Sequence, residues 1–161
     1  MATGCLMAAA VCAALASAAS SAAAGDLPNA KLTPGEANPV LTQEKICAKE
    51  FRTGPFRNVP ASRKAKVYAI YGMKNHKGAC AGKEGCEIDH EISLEIGGSN
   101  SIKNLWPEPY TGTKWNAHVK DVLENRLHKI VCAGKMTLKE AQICISKNWI
   151  QCYKKVMVES K

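Results

Sequence analysis

The sequence predicts an α+β fold: a single, mainly helical, disulfide-stapled domain in which a short β-hairpin is followed by a helix. Two short strand-like stretches, at about residues 86–89 and 102–106, flank Gly97-Gly98 and predict the hairpin. An apolar period typical of a helix follows, up to about residue 132. Six cysteines outside the N-terminal leader indicate that disulfides hold the domain together.

The first 24 residues predict a signal peptide that is removed before Gly25. They contain no charged side chain, are Ala-rich over residues 7–19 and end in three alanines, which fits a small-residue cleavage site. An uncleaved membrane anchor is the alternative, but the run is only weakly apolar, which disfavours a stable membrane span. We therefore expect a periplasmic or secreted protein without stable membrane insertion.

The charge of the chain favours a polyanionic partner. Because the leader is uncharged, the formal net charge of +8 stays on the 137 residues that remain when 24 are removed from 161. This length suffices for one domain with its own core, which we expect to be monomeric. Nucleic acid is the commonest polyanion, and an anionic membrane or a cell-wall polymer would satisfy the same field.

The six remaining cysteines predict disulfides in an exported chain, and they allow 15 pairings among which sequence cannot choose. Cys80 and Cys86 flank a short loop with two glycines, so they are the easiest pair to close locally. The other four are expected to tie helices and the N-terminal segment together: Cys47, Cys132, Cys144 and Cys152. No Cys-x-x-Cys pair is encoded, so a paired-thiolate zinc ribbon is not expected.

The N-terminal part of the mature chain predicts little regular structure before the first helix. Residues 25–45 are expected to form an extended lead-in, because Pro, Gly and Asn are frequent there and no apolar period is present. The single domain is then expected to span residues 46–158. Its first helix should begin with Ser62 as the cap, run through Tyr71 and stop at Gly72. Residues 74–85 predict a polar loop.

The hairpin is expected to contain a strand at residues 86–89, a loop through residues 94–96, a turn at Gly97-Gly98 and a second strand at residues 102–106. Pro107 and Pro109 are expected to end the second strand, because proline cannot donate a hydrogen bond to a strand ladder.

Three helices are expected after the hairpin. The first should begin at Thr113 or Lys114 and end near Cys132, before Gly134. Its apolar face comprises Trp115, Val119, Val122, Leu123, Leu127, Ile130 and Val131. Thr137 and Glu140 form a capping-box pattern that opens a helix through about residue 147, and residues 149–156 predict a last helix.

Four motifs occur in order along the hairpin and the helix: Asp89-His90, Gly97-Gly98, Asn104-Leu105 and Asn116. Each alone would be an ordinary turn or surface feature, but the ordered combination resembles the HNH, or ββα-metal, endonuclease motif. The resemblance covers about residues 86–132 directly, as a core within the domain. Residues 105–110 and 115–121 also resemble a group of small exported bacterial proteins of the HNH type, which extends the likeness towards Tyr153.

The resemblance implies roles for three of these residues. His90 would be the general base that takes a proton from the attacking water, and Asp89 would bind one divalent metal ion at the scissile phosphate. Asn104 would hold the hairpin and orient the imidazole. Mg²⁺ is the expected ion, with Mn²⁺, Ni²⁺ and Zn²⁺ as alternatives. Glu87 and Glu91 are interpreted as solvent-facing strand charges, either of which could approach the metal through water.

The second protein ligand is expected on the helix, where Asn116 and His118 are the two candidates. Helical geometry places His118 roughly 200° around the axis from Asn116, which lies at the edge of the core-facing stripe and is therefore favoured. Lys120 lies about 40° from Asn116 and shares its face. We expect Lys120, together with Lys114 and Lys103, to contact the phosphate backbone of the substrate.

The chain departs from the family pattern in two respects. Many members carry proline at the position of Ser93, which should affect the stiffness of the loop more than the chemistry. Many members also place the last His in a Cys-x-x-Cys setting that this chain lacks, so its fold is expected to rely on disulfides.

Together these features predict an exported, metal-dependent endonuclease that cleaves DNA, with RNA as an alternative substrate. Little sequence specificity is expected, because no separate recognition module is visible. A non-catalytic, basic, disulfide-stapled protein that binds nucleic acid or the cell envelope is the competing prediction. A third is an exported antibacterial toxin with the same chemistry, for which an immunity protein would be the partner.

Overall fold

The computed structural model describes residues 25–74, Cys80 and residues 85–158. The predicted signal peptide and most of the predicted loop at residues 74–85 lie outside the described residues. The described part has an α+β fold, as expected, with a two-stranded antiparallel sheet. Its elements are α1 (Gln43–Ile46), α2 (Ala61–Ile70), β1 (Cys86–His90), β2 (Leu105–Pro109), α3 (Ala117–Cys132) and α4 (Leu138–Val158), with 3₁₀ turns at Gly54–Phe56, Leu94–Ile96 and Ile102–Asn104.

The second strand of the hairpin runs through both prolines, where the sequence suggested that it would end. β1 and β2 pair from Cys86 opposite Pro109 to His90 opposite Leu105. The backbone N–H of Tyr110 donates to the carbonyl of Gly85 at 3.0 Å. By the alternation of an antiparallel pair, the backbone N–H and C=O groups of the even-numbered residues of β2 therefore point towards β1. Pro107 and Pro109 therefore direct their nitrogens to the open edge of the sheet, where no ladder hydrogen bond is lost. Residues 102–104 form a 3₁₀ turn instead of strand.

The loop between the strands contains the predicted glycine turn. Ser93 caps the first 3₁₀ turn by accepting a hydrogen bond from the backbone N–H of Glu95 at 3.2 Å. Gly97 follows with φ of 77°, in the left-handed region that favours glycine. A Cβ atom at Gly98 would overlap the carbonyl oxygen of Ile92. The two glycines are thus needed for different reasons, one for its backbone angle and the other for close approach.

α2 begins two residues earlier than the first predicted helix and ends one residue earlier, because Pro60 rather than Ser62 occupies the cap position. Gly72 follows the helix with φ of 71°. Val67 is buried on the inner face of α2 and packs against the sheet. The cluster formed there contains Val59, Val67, Tyr71, Met73, Cys80, Cys86, Leu105 and Trp106.

α3 begins later than predicted because Asn116 is its cap. Asn116 has extended backbone, with φ −131° and ψ 175°, and its side chain accepts a hydrogen bond from the N–H of Val119. The predicted apolar face is largely confirmed, since Leu123, Leu127 and Val131 are fully buried. Val122 is the exception and is 47% exposed.

α4 contains both helices predicted for the C-terminal segment, joined at a kink. Thr137 and Glu140 form the predicted capping box, with the side chain of each accepting a hydrogen bond from the backbone N–H of the other. Asn148 has non-helical angles, with φ −172° and ψ 97°. Across this kink the Cα atoms of Cys144 and Cys152 are 5.4 Å apart, whereas eight residues of straight α-helix span about 12 Å. The disulfide between them therefore requires the bend.

Two further disulfides close the fold. Cys80 pairs with Cys86, as predicted. Cys47, which caps the C-terminal end of α1, pairs with Cys132 at the end of α3, and so ties the N-terminal segment to a helix. This second bridge lies beside the larger hydrophobic cluster, which α1, α3 and α4 share: Leu41, Ile46, Ile92, Ile96, Leu123, Leu127, Val131, Ala141, Ile145, Trp149, Cys152 and Val156.

The lead-in packs onto the domain. The hydroxyl of Thr33 donates to the carbonyl of Leu105 at 3.0 Å and lies 2.8 Å from the hydroxyl of Tyr71. The indole N–H of Trp149 donates to the carbonyl of Asp26 at 2.9 Å. The lead-in thus bridges both clusters. In the part of the chain that the structure describes, no helix combines the length and the apolar character needed to cross a membrane.

Candidate active site

A polar cavity of about 240 Å³ lies at the end of β1, beside α3. β1 supplies its last two residues, and α3 supplies three positions on one side of the helix, because residues at i, i+3 and i+4 share a face. The cavity is lined by Arg57, Asp89, His90, Ser93, Leu94, Glu95, Asp121, Glu124 and Asn125. The predicted base and the predicted metal ligand of β1 therefore share one cavity with oxygen donors of α3.

His90 is buried, with 8% of its surface exposed. Its Nε2 atom lies 2.7 Å from Oδ1 of Asn100, and Nδ2 of Asn100 donates to the carbonyl of Phe56 at 2.8 Å. Burial lowers the pKa of His90 from its ordinary value, although the contact with Asn100 and the charge of Asp89 act in the opposite direction. The imidazole is therefore neutral near pH 7, which is the state that a general base requires.

Lys120 lies in the interior, where α3 faces the hairpin, and its side chain is 0% exposed. Its ammonium donates to Oδ2 of Asp89 at 2.5 Å, to Oε1 of Glu124 at 2.5 Å and to the carbonyl of His90 at 2.7 Å. Oε2 of Glu108 lies 3.7 Å away. Burial alone would lower the pKa of Lys120, but the surrounding carboxylates raise it well above its ordinary value. Lys120 is therefore a buried, permanently charged centre.

The expectation that Lys120 contacts substrate phosphate does not fit this position. An ammonium group has three N–H donors, and each of them is directed at an oxygen atom of the protein. Exposing the group would leave buried carboxylates without their cation, which costs several kcal/mol. Lys120 instead joins α3 to the hairpin.

Part of the carboxyl cluster near Lys120 comes from the alternation of side chains along β1 and the residue that follows it. Glu87, Asp89 and Glu91 are two residues apart and lie on one side of the chain, and Glu108 joins them from β2, where it is paired with Glu87. Glu108 is fully buried and Glu91 is 1% exposed. The interpretation of Glu91 as a solvent-facing charge is therefore wrong, and Glu87 is itself partly buried.

These carboxyl groups differ in pKa although Asp89 and Glu124 both contact Lys120 at 2.5 Å, because a hydrogen bond with Glu108 also favours the charged form of Asp89, whereas the charge of Asp89 disfavours ionisation of the others. Burial opposes the ionisation of Asp89, but the charge of Lys120 prevails and lowers the pKa of Asp89 to about 2. Burial raises the pKa of Glu91 to about 8 and that of Glu124 to about 7. It also raises the pKa of Glu108 well above its ordinary value. At neutral pH the Lys120 charge is thus balanced chiefly by Asp89.

Asn104 is fully buried and ties three segments together. Its Oδ1 accepts hydrogen bonds from the backbone N–H groups of Ile92 at 2.8 Å and Glu36 at 3.1 Å. Its Nδ2 donates to the carbonyls of Ile92 at 3.0 Å and Ser99 at 2.9 Å. The residue thus holds the loop between the strands against the lead-in. The direct partner of the imidazole is Asn100, four residues earlier.

Asn116 and His118, the two candidates for the second metal ligand, do not line the cavity. The amide of Asn116 is used for capping, since Oδ1 accepts from Val119 N at 3.3 Å and Nδ2 donates to the carbonyl of Thr113 at 2.8 Å. His118 is exposed, and its ring packs edge-on against Tyr110 with the centroids 4.7 Å apart. The structure therefore does not bring either residue together with Asp89 in this cavity.

Lys103 and Lys114 are exposed, as a phosphate contact requires. The ammonium of Lys114 lies 5.3 Å from the ring centroid of Trp115, and that of Lys154 lies 5.5 Å from the same centroid. Two cations therefore share one indole on this surface. Neither Lys103 nor Lys114 lines the cavity.

Several residues that line the cavity were not predicted from the sequence: Arg57, Glu95, Asp121, Glu124 and Asn125. Asn100, the partner of the imidazole, was not predicted either. A signal exists for those on α3, because Lys120 and Glu124 stand at i and i+4, an ion-pairing interval, and Asp121 and Asn125 repeat that interval beside them. Arg57 reaches the cavity from a turn distant in sequence, and no local pattern marks it.

The donor set of the cavity suits a hard cation held by few protein ligands. Asp89 presents a carboxylate, of which Oδ2 contacts Lys120, and α3 adds the oxygen atoms of Asp121, Glu124 and Asn125. Among the described residues, no group of three or more His, Cys, Asp or Glu side chains is arranged to hold a metal ion. Mg²⁺ needs only one or two carboxylates, with water and phosphate completing its shell. Structural Zn²⁺ needs four close ligands, a condition that the described residues do not meet.

Comparison of the chain with models of protein families, with curated proteins and with solved structures finds no match.

Replacement of Lys120 by Met should destabilise the fold by about 3 kcal/mol at pH 7, because it leaves buried carboxylates without a cation. Without Lys120 the folded-state pKa of Asp89 rises above its unfolded-state value, and the raised pKa values of Glu91, Glu108 and Glu124 rise further, so the folded variant binds more protons than folded wild type. The difference in the free energy of unfolding between wild type and the variant should then grow from pH 5 to pH 8. Urea unfolding across this range measures both effects.

The matched control for that experiment is Lys129→Met, an exposed position on the same helix, which should change stability by about 0.5 kcal/mol or less. Equal deficits in the two variants, or a deficit that shrinks as the pH rises, would contradict the buried ion cluster.

Replacement of Asn116 distinguishes capping from metal binding. Asn116→Ala should lose about 1 kcal/mol of stability, and Asn116→Ser should retain most of it, because serine also caps helices. Both variants should bind Mn²⁺ like wild type in isothermal titration calorimetry, whereas Asn125→Ala, which changes the cavity, should bind it more weakly. Loss of Mn²⁺ binding in both Asn116 variants would instead identify Asn116 as a ligand.

Proposed function

We propose that this protein is an exported, metal-dependent endonuclease that hydrolyses phosphodiester bonds in DNA, and in RNA as an alternative substrate, with little sequence specificity. The observation that carries the proposal is the shared cavity, in which a neutral imidazole, that of His90, stands beside the carboxylate of Asp89 and the oxygen donors of α3. A hairpin followed by a helix is also the arrangement that the HNH, or ββα-metal, resemblance implies.

The hydrolysis needs one proton acceptor and one means of stabilising negative charge. The His90 imidazole takes a proton from a water molecule as the water oxygen forms a bond to phosphorus. The bond between phosphorus and the leaving oxygen breaks, and that oxygen takes a proton from solvent. A divalent ion held by Asp89 and α3 would supply Lewis-acid stabilisation of the developing charge. Asp89 is suited to such binding because it stays ionised, with a pKa of about 2.

The charge of the cavity supports the need for a cation. Its lining carries the four carboxyl side chains of Asp89, Glu95, Asp121 and Glu124 and the cationic side chain of Arg57. The buried ammonium of Lys120 offsets the charge of Asp89, and the pKa of Glu124 is raised to about 7, so the net negative charge is smaller than the number of carboxyl groups. A divalent ion would offset the remaining negative charge as a phosphodiester approaches. Arg57 is exposed and can approach a phosphate oxygen directly.

Binding to nucleic acid would depend mainly on the phosphate backbone. The chain has a net charge of +8, and Lys103 and Lys114 are exposed. Contacts of this kind carry no sequence information, and affinity should fall steeply as salt rises. A periplasmic or secreted location is proposed with this function, because the three disulfides persist in an oxidising compartment.

One observation favours a second function, a non-catalytic protein that binds nucleic acid or the cell envelope. Oδ2 of Asp89 is already paired with Lys120 at 2.5 Å, so a metal ion would have to use Oδ1 or displace an existing ion pair. A protein that only binds would not require a metal ion to compete with Lys120 for Asp89. The two functions are distinguished by turnover.

Plasmid nicking tests the proposal. Wild type should nick supercoiled DNA with Mg²⁺ or Mn²⁺, and a chelator should stop the reaction. His90→Ala should lower the rate by about 10²- to 10⁴-fold, the usual contribution of a general base. The matched control is His118→Ala, an exposed histidine outside the cavity, which should cleave like wild type.

Equal rates for wild type and His90→Ala, or cleavage that persists in the chelator, would overturn the assignment of His90 and of the metal. Tight DNA binding without cleavage under Mg²⁺, Mn²⁺, Ni²⁺ or Zn²⁺ would establish the second function instead.

A further inference from the structure

Asn100 connects the candidate base to another wall of the cavity. Its side chain lies between Nε2 of His90, at 2.7 Å, and the carbonyl oxygen of Phe56, at 2.8 Å. Phe56 immediately precedes Arg57, which lines the cavity. One side chain thus links the residue that would accept the proton to the segment that carries the cavity's cation.

The two contacts fix which way the amide of Asn100 faces. A backbone carbonyl can only accept a hydrogen bond, so the NH₂ group of Asn100 must face Phe56 and the amide oxygen must face His90. An amide oxygen also only accepts, and the imidazole nitrogen beside it must therefore carry a proton. In neutral His90 the proton is then on Nε2, and the lone pair that can accept another proton is on Nδ1.

We propose that Asn100 is the positioning residue of this site: it holds His90 in the Nε2–H tautomer and so presents Nδ1 as the atom that accepts the proton from water. The role rests on the proposed nuclease function and deepens it. It assigns to Asn100 the orientation of the imidazole that the family resemblance implies for Asn104, whose own amide is used entirely by backbone groups.

The backbone around Asn100 is fixed in a way that suits this role. The guanidinium of Arg63 donates to the carbonyl of Asn100 at 3.0 Å, and the carbonyl of Ser99 accepts a hydrogen bond from Asn104 at 2.9 Å. On the other side, Nε of Arg57 donates to the hydroxyl of Thr53 at 3.1 Å. The backbone around Asn100 and the segment that contains Arg57 are therefore each fixed by further hydrogen bonds. These bonds help to fix the distance between His90 and that segment.

Two variants of Asn100 separate positioning from a general structural effect. Asn100→Ala removes the acceptor, whereas Asn100→Asp keeps an oxygen that can accept from Nε2–H. The matched control is Asn58→Ala, an exposed asparagine close to Phe56. The tautomer is measured by long-range ¹H–¹⁵N NMR correlation at pH 7.5, with the His90 signals assigned by their absence in His90→Gln. The same proteins are assayed for kcat and KM on DNA with Mg²⁺.

Wild type, Asn100→Asp and Asn58→Ala should show the Nε2–H tautomer, and Asn100→Ala should lose this preference. The kcat of Asn100→Ala should fall about 10- to 100-fold, as is usual when the partner of a functional imidazole is removed, with KM changed much less. Asn100→Asp should recover most of kcat.

The positioning role is overturned if wild-type His90 is in the Nδ1–H tautomer, or if Asn100→Ala keeps both the tautomer and the kcat of Asn58→Ala. If wild type does not cleave DNA but its tautomer depends on Asn100 as described, the nuclease function fails and the positioning of His90 stands. Should Asn100→Ala not fold, the wild-type tautomer and the comparison with Asn100→Asp decide the question.

Discussion

The buried ammonium of Lys120 is the interaction on which the arrangement of the site depends. Lys120 joins α3 to the hairpin through Asp89 and the carbonyl of His90, and it also pairs with Glu124 on its own helix. Without this charge Asp89 could not remain ionised beside the buried carboxyl groups, because an unpaired buried carboxylate is too costly. The same contact sets the charge of Asp89 and the distance between β1 and α3, and hence the shape of the cavity between them.

Asp89 and His90 are the last two residues of β1, and because successive side chains of a strand point to opposite sides, they have different surroundings. Asp89 lies on the side of the Lys120 cluster, and its pKa is lowered to about 2. His90 turns to Asn100 and the loop, where burial lowers its pKa and keeps it neutral. A charged carboxylate and an imidazole that is uncharged at neutral pH thus lie side by side. Metal-assisted hydrolysis needs both, the carboxylate to bind the metal ion and the imidazole to accept a proton.

Local patterns in the sequence predicted the hairpin, the apolar face of α3 and the Cys80–Cys86 bridge, because each depends on residues that are close along the chain. Asn116, the predicted second ligand, lies outside the cavity for a physical reason: it was treated as helical, but it caps α3, and capping uses its amide. The burial of Lys120 could not be seen from α3 alone. A lysine at the edge of an apolar stripe can extend to solvent, and what retains this one is a set of carboxylates on strands distant in sequence.

The proposed function requires the cavity between β1 and α3 to bind one divalent ion beside His90. Anomalous scattering from crystals soaked in Mn²⁺ tests this requirement. We expect a single strong peak within about 2.0 to 2.6 Å of a carboxylate oxygen of Asp89 and of an oxygen of Asp121, Glu124 or Asn125. A cavity without a peak, in crystals where Lys120 still pairs with Asp89, would contradict it, as would an ion bound only elsewhere on the molecule.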